Sequence, residues 1–257
     1  MYQDPLALRL AGERGDKIAR KMAAGAFMSW MMSLRTVAID NLIAKAVGLG
    51  VTRVVNLGAG LDTRPYRLTL PNSLKWIEVD FPHMIAFKNE RLANETPRVA
   101  LERVPLDLSD RAAAREFYTQ LGRSDEPTLI ITEGVIPYLD NEQVANLADD
   151  LRAIPCLRYW IQDFRHGGYR AGVPRLWHWI KMRLAPFKFS VGNWFEFFEA
   201  HGWRVREQRL LIDMAHEKNR PMPTMGGIGI LMMFTPKSRI ESYNRSIGFA
   251  MLEPKPK

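Results

Sequence analysis

Gly58, Ala59 and Gly60, followed by Asp62 and Arg64, are the residues of this chain whose types and spacing point most directly to ligand chemistry. Glycine serves where backbone must take positive φ or come close to another molecule, so a ligand can lie directly against a Gly-x-Gly turn. By itself such a turn is explained as well by a tight strand-to-helix connection with no ligand. The acid Asp80, twenty residues beyond Gly60, tips the balance. At the end of the second strand of a βαβ unit, a carboxylate can accept from both hydroxyls of a ribose. The position of the third glycine of a dinucleotide fingerprint is held by Thr63, two residues before Pro65, so close helix packing under a pyrophosphate is not provided. That favours a nucleoside without phosphates, such as S-adenosylmethionine, over a nicotinamide dinucleotide.

These residues need elements to hold them. Val54, Val55 and Leu57 form a short β-branched, apolar run that stops at the glycines, the pattern of a buried parallel strand. Asp62 or Thr63 suits the cap of a following helix and Pro65 its first turn. Lys75–Asp80 reads as the second strand, His83–Asn94 as a helix, and Arg98–Pro105 as the third strand, leading to Asp107-Leu108. Ser109 or Asp110 caps a helix over Arg111–Leu121. Pro127–Thr132 is the fourth strand and delivers Glu133 to the same sheet edge as Gly58. Asp140 with Gln143 makes a capping box for a helix over Asn141–Ile154, and Cys156–Phe164 is the fifth strand, ending near Arg165 and His166. Five alternations of strand and helix predict a doubly wound, mostly parallel sheet. Ligands bind beyond the carboxyl ends of such strands, where Gly58, Asp80, Asp107, Glu133 and Arg165 all fall.

The string Gly58-Ala59-Gly60-Leu61-Asp62-Thr63-Arg64, with Glu78-Val79-Asp80 and Thr132-Glu133-Gly134-Val135-Ile136-Pro137-Tyr138-Leu139, resembles the leucine carboxyl methyltransferase family, which includes polyketide carboxyl methyltransferases. The resemblance covers roughly Arg35 to Leu147, with a weaker echo at Gly202-Trp203. It implies a Rossmann-like class I methyltransferase fold with a seven-stranded sheet, S-adenosylmethionine as cofactor, and O-methyl transfer, as in secondary metabolism; the single cysteine fits a reducing cytoplasm. The segment Arg35-Thr36-Val37-Ala38-Ile39-Asp40 resembles the family segment whose arginine grips the cofactor's carboxylate, a role suited to a bidentate guanidinium; an exposed helical arginine is the alternative. Asp107 and Leu108 stand where the family receives the adenine, the acid accepting from the exocyclic amine; a loop cap is the alternative for Asp107. The cofactor set expected is therefore Arg35, Gly58, Ala59, Gly60, Asp62, Arg64, Asp80, Asp107, Leu108 and Glu133.

The 257 residues carry 36 Lys and Arg against 28 acids, a net charge of +8 spread along the chain, which argues against a nucleic-acid stripe yet suits an anionic substrate. With 47% hydrophobic and 25% charged residues the composition is that of an ordinary soluble domain. The single cysteine, Cys156, excludes an internal disulfide and a cysteine-based zinc site. There is no signal-peptide pattern, and the apolar stretch Met22–Leu34 is too short for a membrane span. A single domain is expected: lid helices over residues 1–50, a cofactor core over 51–165, an aromatic-rich, acceptor-side helical insertion over 166–200, closing strands over 201–237 and a tail over 238–257. Within the insertion, Trp177, Ile180 and Leu184 share one helical face and Trp194, Phe197 and Phe198 another, so most of its rings are expected in the core. Trp203–Leu211 and Gly227–Thr235 read as the closing antiparallel strands.

A carboxylate acceptor is already ionised at neutral pH, so methyl transfer to it needs no general base, only an in-line geometry in a dry pocket. Consistent with that, the chain has no His-x-x-His pattern, no cysteine cluster and no nucleophile elbow. Were the acceptor a hydroxyl, His166, Tyr169 or His178 would be the first candidate bases by position, though each is also explained by a structural role. Arg165 or Arg170 could anchor an acceptor carboxylate or lie at the surface. The leading expectation is a methyl ester formed on a small-molecule, polyketide-like acid. Methylation of a protein C-terminal carboxylate or of a hydroxyl, and a catalytically silent sensor or scaffold, are the alternatives, and the oligomeric state is not legible.

Overall fold

The computed structural model describes residues 3–21, 25–165, 187–223 and 246–256. Two helices come first, α1 (Pro5–Lys21), broken at Gly12 where φ is 55°, and α2 (Gly25–Gly48). The strands and helices then alternate as β1 (Arg53–Leu57), α3 (Arg64–Arg67), β2 (Lys75–Asp80), α4 (Pro82–Arg91), β3 (Ala100–Pro105), α5 (Arg111–Leu121), β4 (Thr128–Thr132), α6 (Asn141–Arg152) and β5 (Leu157–Arg165). After residue 187 follow α7 (Trp194–Ala200), β6 (Trp203–Leu210), α8 (Leu211–Glu217) and β7 (Ile247–Pro254).

The seven strands form one sheet in the order β3-β2-β1-β4-β5-β7-β6. The first five are parallel, and β7 runs antiparallel between β5 and β6. This is the expected doubly wound, mostly parallel, Rossmann-like sheet. β1 and β4 are buried along their whole length because helices cover both faces, which is why they read as unbroken apolar runs. On one face Val55, Ile130 and Trp160 pack against Tyr118 of α5, Val144 and Leu151 of α6 and Phe198 of α7. On the other, Val54, Trp76, Leu129 and Ile161 pack against α2 and α8.

Two expectations need correction. The stretch 238–257 is not a tail throughout, since Ile247–Pro254 is β7 and Phe249 to Leu252 are buried in the sheet. The lid does not extend over all of residues 1–50: Leu34, Val37, Ile39, Leu42 and Ile43 of α2 are buried against the sheet, so this half of the helix is a core layer. The helix after the glycine turn is only four residues long, with Pro65 in its first turn as expected, and of the two cap candidates it is Asp62 whose side chain accepts from a helix amide, that of Arg64 at 2.9 Å. The closing strand expected over Gly227–Thr235 and the helical face of Trp177, Ile180 and Leu184 lie outside the described residues.

The capping box of α6 forms as predicted, with Asp140 and Gln143 each bonded to the other's backbone, and Asp110 caps α5 through the amide of Ala113. Trp194, Phe198 and Trp203 are core residues, and Trp160 meets both Phe198 and Trp203 edge-on. Among the described residues no helix is long and apolar enough to cross a membrane.

Candidate functional site

Parallel pairing aligns the carboxyl ends of β1 to β5, and the loops that leave them build two adjoining cavities. Leu57 stops β1 at the turn over Gly58 and Gly60, which take φ of 71° and 48°, a region costly for any residue with a side chain. The two glycines have different reasons to be there. A Cβ on Gly58 would meet Val135 Cγ2 at 2.7 Å, so packing against the β4 loop already requires it. A Cβ on Gly60 would meet nothing within 4 Å, so it would project into open space beside the cavity. Asp80, at the end of β2, accepts from the amides of Gly60 (2.6 Å) and Phe81 (2.7 Å), tying the turn to the neighbouring strand.

One cavity, of about 310 Å3, is lined by charge: Asp4, Arg35, Asp62, Arg64, Arg67 and Glu133, with Gly58 to Gly60 along one wall. Arg35 on α2 donates through Nε to Glu133 (2.6 Å), while the buried Arg64 donates to the other Glu133 oxygen (2.7 Å), to Asp40 (2.7 Å) and to Asp62 (3.1 Å). Arg67 completes the network with Asp40 at 2.6 and 3.0 Å and Asp4 at 3.3 Å. Asp4 also accepts from the Thr63 hydroxyl (2.5 Å), which pins the start of α1 beside the glycine turn. Burial opposes ionisation of Glu133, but Arg64 and Arg35 outweigh it and hold the carboxyl down at about 2. Burial likewise works against the charge on Arg35, and Glu133 with Asp163 overcomes it and raises its pKa. Only Nε of Arg35 is engaged; its two terminal amino groups meet no acceptor within hydrogen-bond distance among the described residues.

The second cavity, of about 480 Å3, is mostly apolar and includes Leu57, Phe81, Leu106, Leu108, Val135 and Leu139, with Asp80 and Asp107 at its polar edge. Asp107 caps its own loop: the Ser109 hydroxyl (2.7 Å) and amide (2.8 Å) donate to Oδ1 and hold the carboxyl below its usual range. Its Oδ2 makes no hydrogen bond among the described residues, so the cap leaves one acceptor over. Both cavities share Gly58.

Of the residues singled out by sequence, Arg35, Gly58, Ala59, Gly60, Asp62, Arg64 and Glu133 meet at the charged cavity and Asp80, Asp107 and Leu108 at the apolar one. Arg165 is buried at the end of β5. His166, Tyr169 and His178 lie outside the described residues. Sequence reasoning missed Asp4, Asn56, Asp40 and Arg67. Asn56, buried in β1, donates to Asp62 at 2.7 Å and is two residues before Gly58. Asp163, at the end of β5, accepts from the amide of Gly134 at 2.7 Å and was legible only as the end of a strand.

The family model for leucine carboxyl methyltransferases matches residues 1–152. A Frankia alni protein assigned as an S-adenosyl-L-methionine-dependent methyltransferase is 30% identical over 239 residues, covering 87% of this chain and 82% of its own. A Parafrankia protein with the same assignment is 30% identical over 243 residues, covering 87% of this chain and 76% of its own. Among solved structures, one from Thermobifida fusca described as a methyltransferase superposes with a TM-score of 0.61 over 98% of this chain and 95% of that one, at 14% identity. A duf574 family protein from Streptomyces avermitilis does so with a TM-score of 0.57 over 95% and 90%, at 17% identity. At those identities the superpositions speak for the fold alone.

Proposed function

The chain belongs to the leucine carboxyl methyltransferase family and is an S-adenosylmethionine-dependent methyltransferase, and from that premise we propose that it methylates a carboxylate oxygen of a small molecule. The cofactor supplies an electrophilic methyl group on a sulfonium. The observation that carries the choice of acceptor is Glu133, the acid at the end of β4: with its carboxyl held at about 2 between two arginines, it is too weak a base to take a proton from a hydroxyl at neutral pH. Tyr118, in the apolar cavity, is no better placed to act, because burial and the nearby Asp150 push its phenol well above the ordinary range, so it stays protonated. An ionised carboxylate needs neither.

In this reading the free amino groups of Arg35 take the cofactor's carboxylate, a task for which a planar fork is suited. The side-chain oxygens of Glu133 and Asp62 set the negative side of the same cavity, where an ammonium is favoured. Asp80 accepts from the ribose hydroxyls, and Asp107 Oδ2 with Leu108 receives the adenine. Arg64 holds Glu133, Asp62 and Asp40 in one arrangement and so fixes the cavity's shape before anything binds, which reduces the cost of ordering it. The lid is then α1 with the first turns of α2, since Asp4 and Ala7 border the charged cavity and α2 is core from Leu34 on. Anchoring of the acceptor is assigned to Arg165, at the end of β5. Catalysis follows from holding the acceptor oxygen in line and keeping water out.

The test is a transfer assay with methyl-labelled cofactor over a library of carboxylic acids and phenols. A product whose label is released by mild base supports the ester. A base-stable product would move the reaction to a hydroxyl and overturn the acceptor class.

A further inference from the structure

Beneath the glycine turn lies a charged group that no step above uses. Lys88, on α4, is fully buried. Its Nζ donates to the main-chain carbonyl of Asp62 at 2.8 Å and sits 2.8 Å from Glu78 Oε2. Glu78, two residues before Asp80 on β2, is also fully buried, and the same oxygen takes Arg103 Nε at 2.8 Å. Arg103 in turn donates to the Tyr66 hydroxyl at 2.7 Å. Removing two opposite charges from water costs several kcal/mol per ion, and an apolar pair of similar volume would fill the space at less cost. Packing alone therefore does not account for a lysine here.

What Lys88 adds is a donor aimed at one carbonyl. Gly58 and Gly60 give the turn conformational freedom. It is fixed from above by Asp80 on the Gly60 amide and from the side by Asn56 and Arg64 on the Asp62 carboxylate. Lys88 fixes it from below, on the main chain of the residue that Arg64 both follows and pairs with. We propose that Lys88 is a positioning residue for cofactor binding: through the Asp62 carbonyl it sets the height of the turn over Gly60 and the orientation of Arg64 in the charged cavity. Glu78 is the counter-charge that lets a lysine occupy this buried place. The proposal rests on the reading of the Gly58–Arg64 turn as the cofactor site.

The experiment measures two quantities on the full chain, the dissociation constant for S-adenosylhomocysteine by calorimetry and the urea midpoint, for the wild type, Lys88→Met, the double variant Glu78→Gln with Lys88→Met, and Asp80→Ala. Lys88→Met is expected to lower the midpoint and weaken binding at least tenfold. The double variant removes both fully buried charges, and Arg103, which loses its counter-charge there, keeps Asn89 and the Tyr66 hydroxyl as acceptors, so its midpoint is expected to recover most of the loss while its affinity stays at least tenfold weak. Should the double variant recover both, Lys88 is only a counter-ion and the proposal fails. It fails equally if either lysine variant binds as the wild type does while Asp80→Ala is weakened. Wild-type affinity in Asp80→Ala would overturn the location of the cofactor site itself.

Discussion

Glu133→Gln tests the charged cavity most sharply, because its effect has a size and a pH signature. A carboxyl held at about 2 rather than an ordinary 4.5 contributes about 3 kcal/mol to the folded state at neutral pH. The folded value is the depressed one, so this stability is fully present above about 4.5 and is lost as pH falls towards 2. Glutamine keeps the shape and one acceptor but removes the charge from between Arg35 and Arg64, so the variant should be less stable by about 2–3 kcal/mol at pH 7. The gap should hold down to about pH 5 and shrink by about 2 kcal/mol, to no more than about 1 kcal/mol, by pH 3, since the wild type is then losing what the variant never had. Urea denaturation followed by tryptophan fluorescence at several pH values gives the gap directly. A gap below about 0.5 kcal/mol at pH 7, or one of the same size at pH 7 and pH 3, would refute the account of Glu133.

Asp80→Ala should weaken S-adenosylhomocysteine binding by about 1.5–3 kcal/mol, the range for hydrogen bonds to a charged group, and calorimetry showing unchanged affinity would remove Asp80 from the site. Gly58→Ala should act on the fold, because its Cβ meets Val135 at 2.7 Å, whereas Gly60→Ala should cost only about 1–2 kcal/mol of stability, from its left-handed backbone, yet weaken binding more than that; denaturation and calorimetry on both variants separate the two glycines. Arg35→Lys should also weaken binding, since an ammonium reproduces a fork poorly. S-adenosylhomocysteine should protect residues 25–40 from hydrogen exchange while adenosine, which lacks the carboxylate, should not. Equal protection by both ligands would mean that α2 responds to something other than the Arg35 contact.

Much of this architecture was legible because its signals are local. β1 and β4 are buried on both faces, so their apolar runs are continuous, and the α6 capping box lies within four residues. What failed to show depends on partners remote in the chain. β7 pairs with residues near 160 and near 205, and its apolar stretch Ile247–Leu252, followed by charged residues, carries no sign of either partner. The two halves of α2 are both apolar, so sequence alone does not separate a lid from a core layer. The charged network joins Arg64 to Asp40 across 24 residues and Arg35 to Glu133 across 98. Only the pair Asp62 and Arg64 is close in sequence, and Arg35 stood out through the family resemblance alone.

The place of β7 also dictates an order of assembly. Among the described strands it comes latest in the chain, yet it lies between β5 and β6, and β6 pairs with no other of them. Until Ile247–Pro254 is made, β6 therefore lacks its partner among the described strands and β5 lacks that neighbour, while β1 to β4 can already close around the glycine turn. Open edges are where chains join one another wrongly. Pairing across 82 to 92 residues, as between β5 and β7, is intrinsically slow, because the loop must close before contacts repay it. The ligand-binding half of the sheet can thus form early, and the far half depends on a late insertion that shortening the chain at Ile247 would abolish, leaving β6 detached rather than merely trimming an end.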